Sequence, residues 1–259
     1  MPLDMSDALL GDDRDVAKPL RTVKVLLTGF EPFDQDRDGV FDENTSKILA
    51  KAYADRERRV AYDHSSGRRI KAIVTGHVLD VTWSNSPGSA ASATSAATAG
   101  AADVLEDLVR TRRPDVIIAT GMGGNLFRAE LQARDLDIPN QADNRGVSFT
   151  GEGRRQYSKL GDEDAYLMST LPVVEIEAEW KKAGVRYQER SYNAGGFVCD
   201  DVFYRALWIQ SKSKIGAGVL SAGFIHVPPG ADRKELETAM DIVLRVTLQS
   251  LDATKLTTR

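Results

Sequence analysis

Short apolar runs and longer amphipathic segments follow one another along this chain. The apolar runs are rich in β-branched residues and predict buried strands at residues 22–30, 115–121 and 218–227. Apolar positions at helical spacing predict helices at about 45–54, 93–112, 172–183, 198–211 and 232–251. Residues 69–83 predict two strands or one strand bent at Gly76, and residues 185–191 predict a further strand.

Strands and helices therefore alternate from residue 21 onward. This order predicts a single α/β domain, residues 21–259, with a mostly parallel twisted sheet and helices on both faces, as in phosphorylases and hydrolases. Residues 1–20 predict a disordered N-terminal tail. Ligand sites in such sheets form where the C-terminal ends of strands open into loops. The segments TGFEPF, TGMGG and GFIHVPP occupy three such strand ends.

The bulk composition narrows the class of protein. Of the 259 residues, 42% are hydrophobic and 28% are charged, which suffices for a sizeable core. The net charge of -4 and the scattered arginine pairs argue against a nucleic-acid partner. The N-terminus lacks the apolar run of a signal peptide, and the long uncharged stretch at 82–102 is too polar to span a membrane. A single cysteine fits a reducing compartment, so we expect a cytoplasmic protein without a membrane partner.

That cysteine, Cys199, lies just after two glycines in SYNAGGFVCDD, residues 191–201. The NAGG segment predicts the end of a strand and FVCDDVFYRALWIQ has helical periodicity, which places Cys199 in the first turn of a helix. Backbone N–H groups and the helix dipole stabilise a thiolate and a developing oxyanion there. The adjacent Asp200 and Asp201 suit a helix start but oppose a thiolate. A buried thiol that acts as a small hydrophobic side chain is the alternative interpretation.

A nucleophilic cysteine needs a base, and the chain has three histidines. His226 ends the apolar strand AGFIHV ahead of two prolines, where α/β enzymes keep catalytic groups. His64 lies in a polar loop and His77 inside a strand pattern, which makes both less suitable. Glu130, soon after TGMGGN, is the best-placed acid to orient an imidazole. From the residues alone, a packed core histidine and a solvent-facing glutamate remain open at these two positions.

Three segments together resemble pyroglutamyl peptidase I, also called pyrrolidone-carboxylate peptidase. They are VLLTGFEPF at 25–33, SYNAGGFVCDDVFY at 191–204 and GFIHVPP at 223–229. The segments RPDVIIATGMGG and DNRG, the latter at 143–146, are also similar to that family, and the likeness runs from about residue 22 to residue 251. The resemblance implies a catalytic triad of Cys199, His226 and Glu130. It also implies a peptide substrate with a blocked N-terminus, no metal, no other cofactor and a homo-oligomer, either dimer or tetramer.

The resemblance further implies a binding site for the pyroglutamyl ring. By position it assigns substrate binding to Phe30, Phe33, Asn44, Met122, Phe197 and Val198. Because the lactam ring carries no charged amine, the pocket should be apolar with a few hydrogen bonds to the amide. Aromatic side chains of the core near a strand end are the alternative interpretation.

Several positions depart from the family pattern and suggest a divergent member. Met122 stands where the family has a glutamine, and its sulfur is only a weak acceptor for an amide. Asp137 or Asn140, depending on a gap, stands where the family has an arginine, and Thr45 replaces a proline. Losing a cation beside a thiolate would raise the pKa of the thiol. The loop 34–42 replaces a short glycine-rich turn.

The sequence thus predicts a cysteine exopeptidase that removes a pyroglutamyl or related cyclic N-acyl residue through a thioacyl-enzyme. One alternative is an inactive or altered-specificity family member that acts as a binding or oligomeric protein. Another is an enzyme like a nucleoside phosphorylase, since that family shares the architecture. The latter requires a phosphate site, and GMGGN is only a weak match to a phosphate-binding loop.

Overall fold

The computed structural model of the chain describes most of the predicted domain. The described residues are 20–33, 43–54, 58–63, 69–84, 99–135, 141–147, 166–212, 214, 218–251 and 256. The predicted tail up to residue 19, the loop 34–42, His64, Asp137 and Asn140 lie outside them.

The described elements alternate between strands and helices along the chain. The strands are β1 (Leu20–Phe30), β2 (Arg58–Asp63), β3 (Arg69–Leu79), β4 (Val116–Met122), β5 (Arg128–Glu130), β6 (Gln132–Arg134), β7 (Tyr166–Met168) and β8 (Ser221–Val227). The helices are α1 (Thr45–Ala54), α2 (Ala101–Arg112), α3 (Val173–Ala183), α4 (Val198–Lys212) and α5 (Arg233–Ser250). No helix in these ranges is both long enough and apolar enough to cross a membrane.

Six strands form one sheet in the order β2-β3-β1-β4-β8-β5. The four inner strands are parallel, and the two edge strands, β2 and β5, run antiparallel to their neighbours. Strands β6 and β7 form a separate antiparallel pair. The prediction of an α/β fold with a mostly parallel sheet is confirmed.

Each face of the sheet carries its own buried core. Adjacent residues of one strand enter opposite cores, as Leu26 and Leu27 of β1 do, and likewise Ile117 and Ile118 of β4. Helices α1, α3 and α5 cover the Leu27 face, whereas α2 and α4 cover the Leu26 face. Strands buried on both sides have no polar face, which explains the continuous apolar runs in the sequence.

Helix α2 begins at Ala101, later than the predicted start at residue 93. An ideal Cβ on Gly100 would lie 2.1 Å from the carbonyl oxygen of Trp83, so the chain before the helix packs against the segment after β3. The Gly100 N–H donates to Asp103 Oδ2 at 3.0 Å, which satisfies a backbone group at the helix start. The prediction of a helix at residues 99 and 100 is therefore wrong, and residues 93–98 lie outside the described part.

Most other differences between the predicted and the observed elements involve short strands or strands at the edge of the sheet. Residues 69–83 contain a single strand, β3, which ends at Leu79, and β8 begins at Ser221 rather than at residue 218. Residues 185–191 form only isolated bridges, Phe127 with Tyr187 and Glu130 with Ser191. No pattern predicted β2, β5, β6 or β7, because such short or peripheral strands show little periodicity.

An ion-paired cluster fixes α4 against α2 inside the Leu26-side core. Arg205 is fully buried, and its Nη1 lies 2.6 Å from Glu106 Oε2 while its Nη2 lies 3.4 Å from Asp103 Oδ1. Removal of one partner from such a buried pair would leave an uncompensated charge. This cluster therefore holds the orientation of α4, the helix that carries Cys199.

Candidate functional site

Cys199 is the second residue of α4, as the sequence predicts. Gly195 and Gly196 have φ values of 99° and 73°, a left-handed conformation that glycine adopts at little cost. The Phe197 carbonyl then accepts hydrogen bonds from the N–H groups of Asp200 at 2.9 Å and Asp201 at 3.1 Å, which starts the helix. The side chain of Cys199 consequently lies at the positive end of the helix dipole.

The sulfur of Cys199 lies directly over the C-terminal end of β4. An ideal Cβ on Gly121 would meet Cys199 Sγ at 2.7 Å and Phe224 Cζ at 2.9 Å. Gly121 is the register partner of His226 on β8, so both face the side of the sheet that α4 covers. The missing side chain at Gly121 therefore makes room for the sulfur next to the strand that carries the imidazole.

His226 and Glu130 form a direct, buried hydrogen bond. His226 Nδ1 lies 2.7 Å from Glu130 Oε1, and the side chains are 4% and 0% exposed. Glu130 lies on β5, which pairs with β8 at the sheet edge and places Glu130 opposite Phe224. Cross-strand pairing thus joins an acid and a base that are far apart in the sequence.

The pKa values of this pair favour a neutral imidazole beside a carboxylate. Burial lowers the pKa of His226, Glu130 raises it and Arg128 lowers it, and the net pKa lies below the usual value. Burial raises the pKa of Glu130, but His226, the Ser191 side chain and Arg128 together lower it below the usual value. A carboxylate can only accept, so Nδ1 carries the proton and Nε2 keeps a lone pair.

Three aromatic rings form a cluster around Phe197, two residues before Cys199. The centroids of the Phe33 and Phe197 rings are 5.0 Å apart at 44°, and Trp83 meets Phe197 edge-on at 5.0 Å and 88°. Phe30, by contrast, is only 2% exposed and belongs to the buried core on this face. Strand ends β1 and β3 and the turn before α4 thus converge on one aromatic cluster of Phe33, Trp83 and Phe197.

The loop at 141–147 closes one side of the aromatic cluster. Asp143 Oδ2 accepts the Trp83 N–H at 2.9 Å, and Arg145 Nη2 donates to the Trp83 carbonyl at 2.7 Å. Asn144 Nδ2 donates to the Pro32 carbonyl at 2.9 Å. The DNRG motif therefore links the segment after β3 to the segment after β1.

Asn44 is buried at the start of α1, where its amide contacts the chain beyond β1. Its Oδ1 accepts from Ser46 N at 3.0 Å and from Ser46 Oγ at 2.7 Å, and its Nδ2 donates to the Glu31 carbonyl at 3.1 Å. Thr45 Oγ1 donates to the Pro228 carbonyl at 3.0 Å, just beyond His226. These contacts connect α1 to two of the strand ends that carry candidate site residues.

Three candidate residues remain: Met122, Val198 and His77. Met122 ends β4 as the register partner of Val227 and is half-buried, whereas Val198 is buried in the core next to Cys199. His77 lies on β3, opposite Thr28 and separated from β8 by β1 and β4, so the structure does not bring it to this site.

The acids that follow Cys199 are buried, and one of them is engaged by β6. Asp200 Oδ1 accepts the Arg134 N–H at 3.0 Å, and Arg134 Nε lies 3.8 Å from Asp200 Oδ2. The Arg134 side chain also contacts Asn193 in the turn before α4. This arrangement offsets the negative charge of Asp200 near the sulfur. Among the described residues, no group of three or more His, Cys, Asp or Glu side chains could hold a metal ion.

Sequence reasoning did not identify Trp83 or Arg128 as site residues. Trp83 directly follows the strand pattern in LDVTW, so a search of every strand end for aromatic side chains would have found it. Arg128 precedes Glu130 by two residues, which on a strand places both side chains on one face. That signal depends on knowing that β5 is a strand.

We expect Gly121→Ala to lower kcat/KM by about 100-fold for any reaction in which Cys199 is the nucleophile. The new Cβ would displace Cys199 Sγ from its position. Steady-state kinetics and the rate of alkylation by iodoacetamide measure the effect. Gly184→Ala is the control, because φ is 74° there with open space around it, so strain lowers stability away from the site. An unchanged kcat/KM in Gly121→Ala would contradict the assigned sulfur position.

Sequence comparisons identify relatives along most of the chain. A family model described as pyroglutamyl peptidase matches residues 91–249. The pyrrolidone-carboxylate peptidase of Cupriavidus taiwanensis is 28% identical over 245 residues, 91% of this chain and 94% of that protein. The protein of the same name from a strain of Pseudomonas fluorescens is 30% identical over 209 residues, 79% of this chain and 78% of that protein.

Solved structures of similar fold agree with the sequence relatives. A mutant pyrrolidone carboxyl peptidase from Pyrococcus furiosus superposes with a TM-score of 0.67 at 23% identity, covering 89% of this chain and 100% of that one. The pyroglutamyl peptidase I of Bacillus amyloliquefaciens gives a TM-score of 0.66 at 24% identity, covering 89% and 96%. At these identities the likeness supports the fold.

Proposed function

Because the chain belongs to the pyroglutamyl peptidase family, we propose that it removes N-terminal pyroglutamyl residues from peptides with Cys199 as nucleophile. The sequence-based assignments to this family and to cysteine-type peptidases are confirmed. The comparisons do not favour an inactive binding protein or an enzyme like a nucleoside phosphorylase. The observation that carries the site assignment is the buried 2.7 Å contact between His226 and Glu130, next to the strand end that holds the sulfur.

Acylation would begin with proton transfer from the thiol of Cys199 to Nε2 of His226. The sulfur then attacks the carbonyl carbon that joins the lactam ring to the next residue, and a tetrahedral oxyanion forms. Backbone N–H groups at the start of α4 are placed to stabilise that oxyanion. His226 returns its proton to the departing amine, the C–N bond breaks and a thioester to Cys199 remains.

Deacylation would use the same base. Water gives a proton to Nε2 of His226 and attacks the thioester carbonyl, and the C–S bond breaks as the sulfur recovers a proton. The products are free pyroglutamate and the restored thiol. Glu130 remains a carboxylate throughout, because it orients the imidazole and stabilises the imidazolium.

Recognition of the uncharged lactam ring would fall to the aromatic cluster. Phe33 and Phe197 offer an apolar wall beside the cysteine, and Trp83 supports Phe197 from its edge. Phe30, Asn44 and Val198, which the family resemblance assigns to substrate binding, are all buried, and their proposed role is to shape this wall. Met122, half-buried at the end of β4, would add an apolar contact where an amide acceptor is otherwise expected.

The same proposal extends to the substrate, the assembly of the protein and its cellular compartment. The substrate is a peptide whose N-terminus is blocked by the pyroglutamyl ring. We propose that the chain assembles as a homo-oligomer, a dimer or tetramer, and works in the cytoplasm, where its single cysteine stays reduced.

We expect the protein to hydrolyse a fluorogenic pyroglutamyl amide and to leave the matching prolyl amide uncut. The prolyl compound has the same ring size but bears a charged amine, which an apolar pocket would reject. Initial rates with both substrates, before and after iodoacetamide, measure the selectivity and its dependence on the thiol. Equal rates on both amides, or no turnover of either, would refute the proposed substrate.

A further inference from the structure

Arg128 approaches the dyad of His226 and Glu130 from the edge strand β5. It lies directly opposite His226 in the pairing of β5 with β8, and two residues before Glu130 on the same strand face. Its Nε lies 3.5 Å from Glu130 Oε1, the oxygen that also accepts from His226 Nδ1. One carboxylate oxygen is thus shared by an imidazole and a guanidinium.

The guanidinium and the Nε2 end of the imidazole both lie close to Gly123. An ideal Cβ on Gly123 would lie 3.2 Å from Arg128 Nη2, 3.2 Å from His226 Nε2 and 2.8 Å from His226 Cδ2. The two nitrogens are therefore separated by no more than twice that 3.2 Å distance. On Gly124, whose φ is 66°, an ideal Cβ would lie 3.4 Å from Arg128 Cζ. The glycine pair makes the space in which the guanidinium and the imidazole edge come together.

We propose that Arg128 is a positioning residue that keeps Glu130 as a carboxylate and His226 as a neutral base with its proton on Nδ1. This inference rests on the proposed function, since it assigns His226 as the base. The guanidinium attracts the carboxylate, and a positive charge near Nε2 opposes addition of a second proton to the ring. The thiol would then transfer its proton to the imidazole during attack, rather than resting as a stable thiolate–imidazolium pair.

The other groups around His226 do not supply this effect. Burial is the largest cause that lowers the pKa of His226, Glu130 from β5 raises this pKa, and Arg128 adds to the lowering. The sulfur of Cys199 faces the site from α4, and β4 contributes Gly121, which has no side chain. Within the described residues, Arg128 is therefore the cation placed to oppose protonation of His226. Its side chain is 19% exposed, so solvent screens part of its charge.

The test compares Arg128→Gln and Arg128→Lys, with NMR titration of the His226 imidazole as the primary measurement. The His226 signal is assigned by its loss in His226→Asn, and the titration needs no catalytic turnover. We expect the pKa of His226 to rise by about one unit in Arg128→Gln and to stay near the wild-type value in Arg128→Lys. The acidic limb of kcat/KM should move to higher pH by the same amount in the glutamine variant.

Two further variants keep the comparison decisive. Arg128→Thr provides a second neutral side chain suited to a strand if the glutamine variant fails to fold. Arg186→Gln is the matched charge control, because Arg186 is exposed and pairs with Glu235 at 3.8 Å, and we expect no shift. If the pKa of His226 is unchanged in the neutral Arg128 variants, the proposal is overturned, even if their activity falls equally at every pH. Absence of turnover in the wild type would count against the proposed function instead, because the NMR titration still decides the role of Arg128.

Discussion

Cys199→Ala should lower kcat for hydrolysis of a pyroglutamyl amide by a factor on the order of 10⁶. The alanine removes the atom that forms the thioester, and His226 and Glu130 cannot replace it. Because Cys199 is half-buried at the start of α4, loss of one sulfur should cost little stability. Progress curves at high enzyme concentration, beside an enzyme-free blank, measure the residual rate.

Cys199→Ser is the matched control for this prediction. The hydroxyl keeps the shape of the side chain but is far less acidic than a thiol, so we expect a large loss here as well. Circular dichroism and thermal unfolding should show that both variants fold. Since Cys199 is the one cysteine in the chain, a mass shift after iodoacetamide reports its accessibility without ambiguity. Retention of a hundredth or more of the wild-type activity in Cys199→Ala would show that another group attacks the substrate.

The sequence predicted the centre of this fold better than its edges. β1, β4 and β8 are buried on both faces, and such strands leave long apolar runs that stand out from the rest of the chain. The start of α4 was equally clear, because two glycines precede an amphipathic segment. These patterns predicted Cys199 at the start of a helix and His226 at the C-terminal end of a strand, where ligand sites of such sheets form.

The edge strand β5 carries the part of the site that pattern alone could not locate. It has three residues, too few for any periodicity, and it exists because it pairs with β8 across a large separation in sequence. Glu130 was identified from its place just after a predicted strand end and from the family resemblance, while Arg128 on the same strand was overlooked. Long-range pairing decides which side chains share a face, and a single sequence gives no direct signal of it.

The start of α2 illustrates tertiary contact overriding local propensity. The helical pattern continues through residues 99 and 100, yet neither residue is helical and α2 begins at Ala101. At Gly100 the backbone packs so close to Trp83 that a Cβ would collide with its carbonyl oxygen. Trp83 in turn supports Phe197 in the aromatic cluster, so this packing also shapes the candidate pocket.

Glu130→Gln should lower kcat/KM by about 10³ to 10⁴-fold. The buried carboxylate now accepts the proton on His226 Nδ1 at 2.7 Å, which leaves Nε2 as the base. A glutamine can present its NH₂ group to Nδ1 instead, and the ring would then carry its proton on Nε2, where it cannot accept one from the thiol. Steady-state kinetics across pH measure the loss, and Glu179→Gln serves as the control because it neutralises a carboxylate of α3 that pairs with Arg245 at 2.7 Å, on the other face of the sheet.

The same substitution also has a predictable effect on stability. The pKa of Glu130 is lowered in the folded protein, so its stabilising contribution is present above the unfolded pKa and is lost as pH falls through the folded pKa. The difference in unfolding free energy between wild type and Glu130→Gln should therefore shrink as pH falls from neutral through the acidic range, in urea titrations at several pH values. A difference that stayed constant with pH, together with near-normal kcat/KM, would mean that Glu130 neither remains ionised nor selects the tautomer of His226. If activity is lost and the stability difference depends on pH as expected, catalysis and stability both depend on one buried charge. The carboxylate that selects the tautomer of His226 is then also the group whose ionisation stabilises the fold.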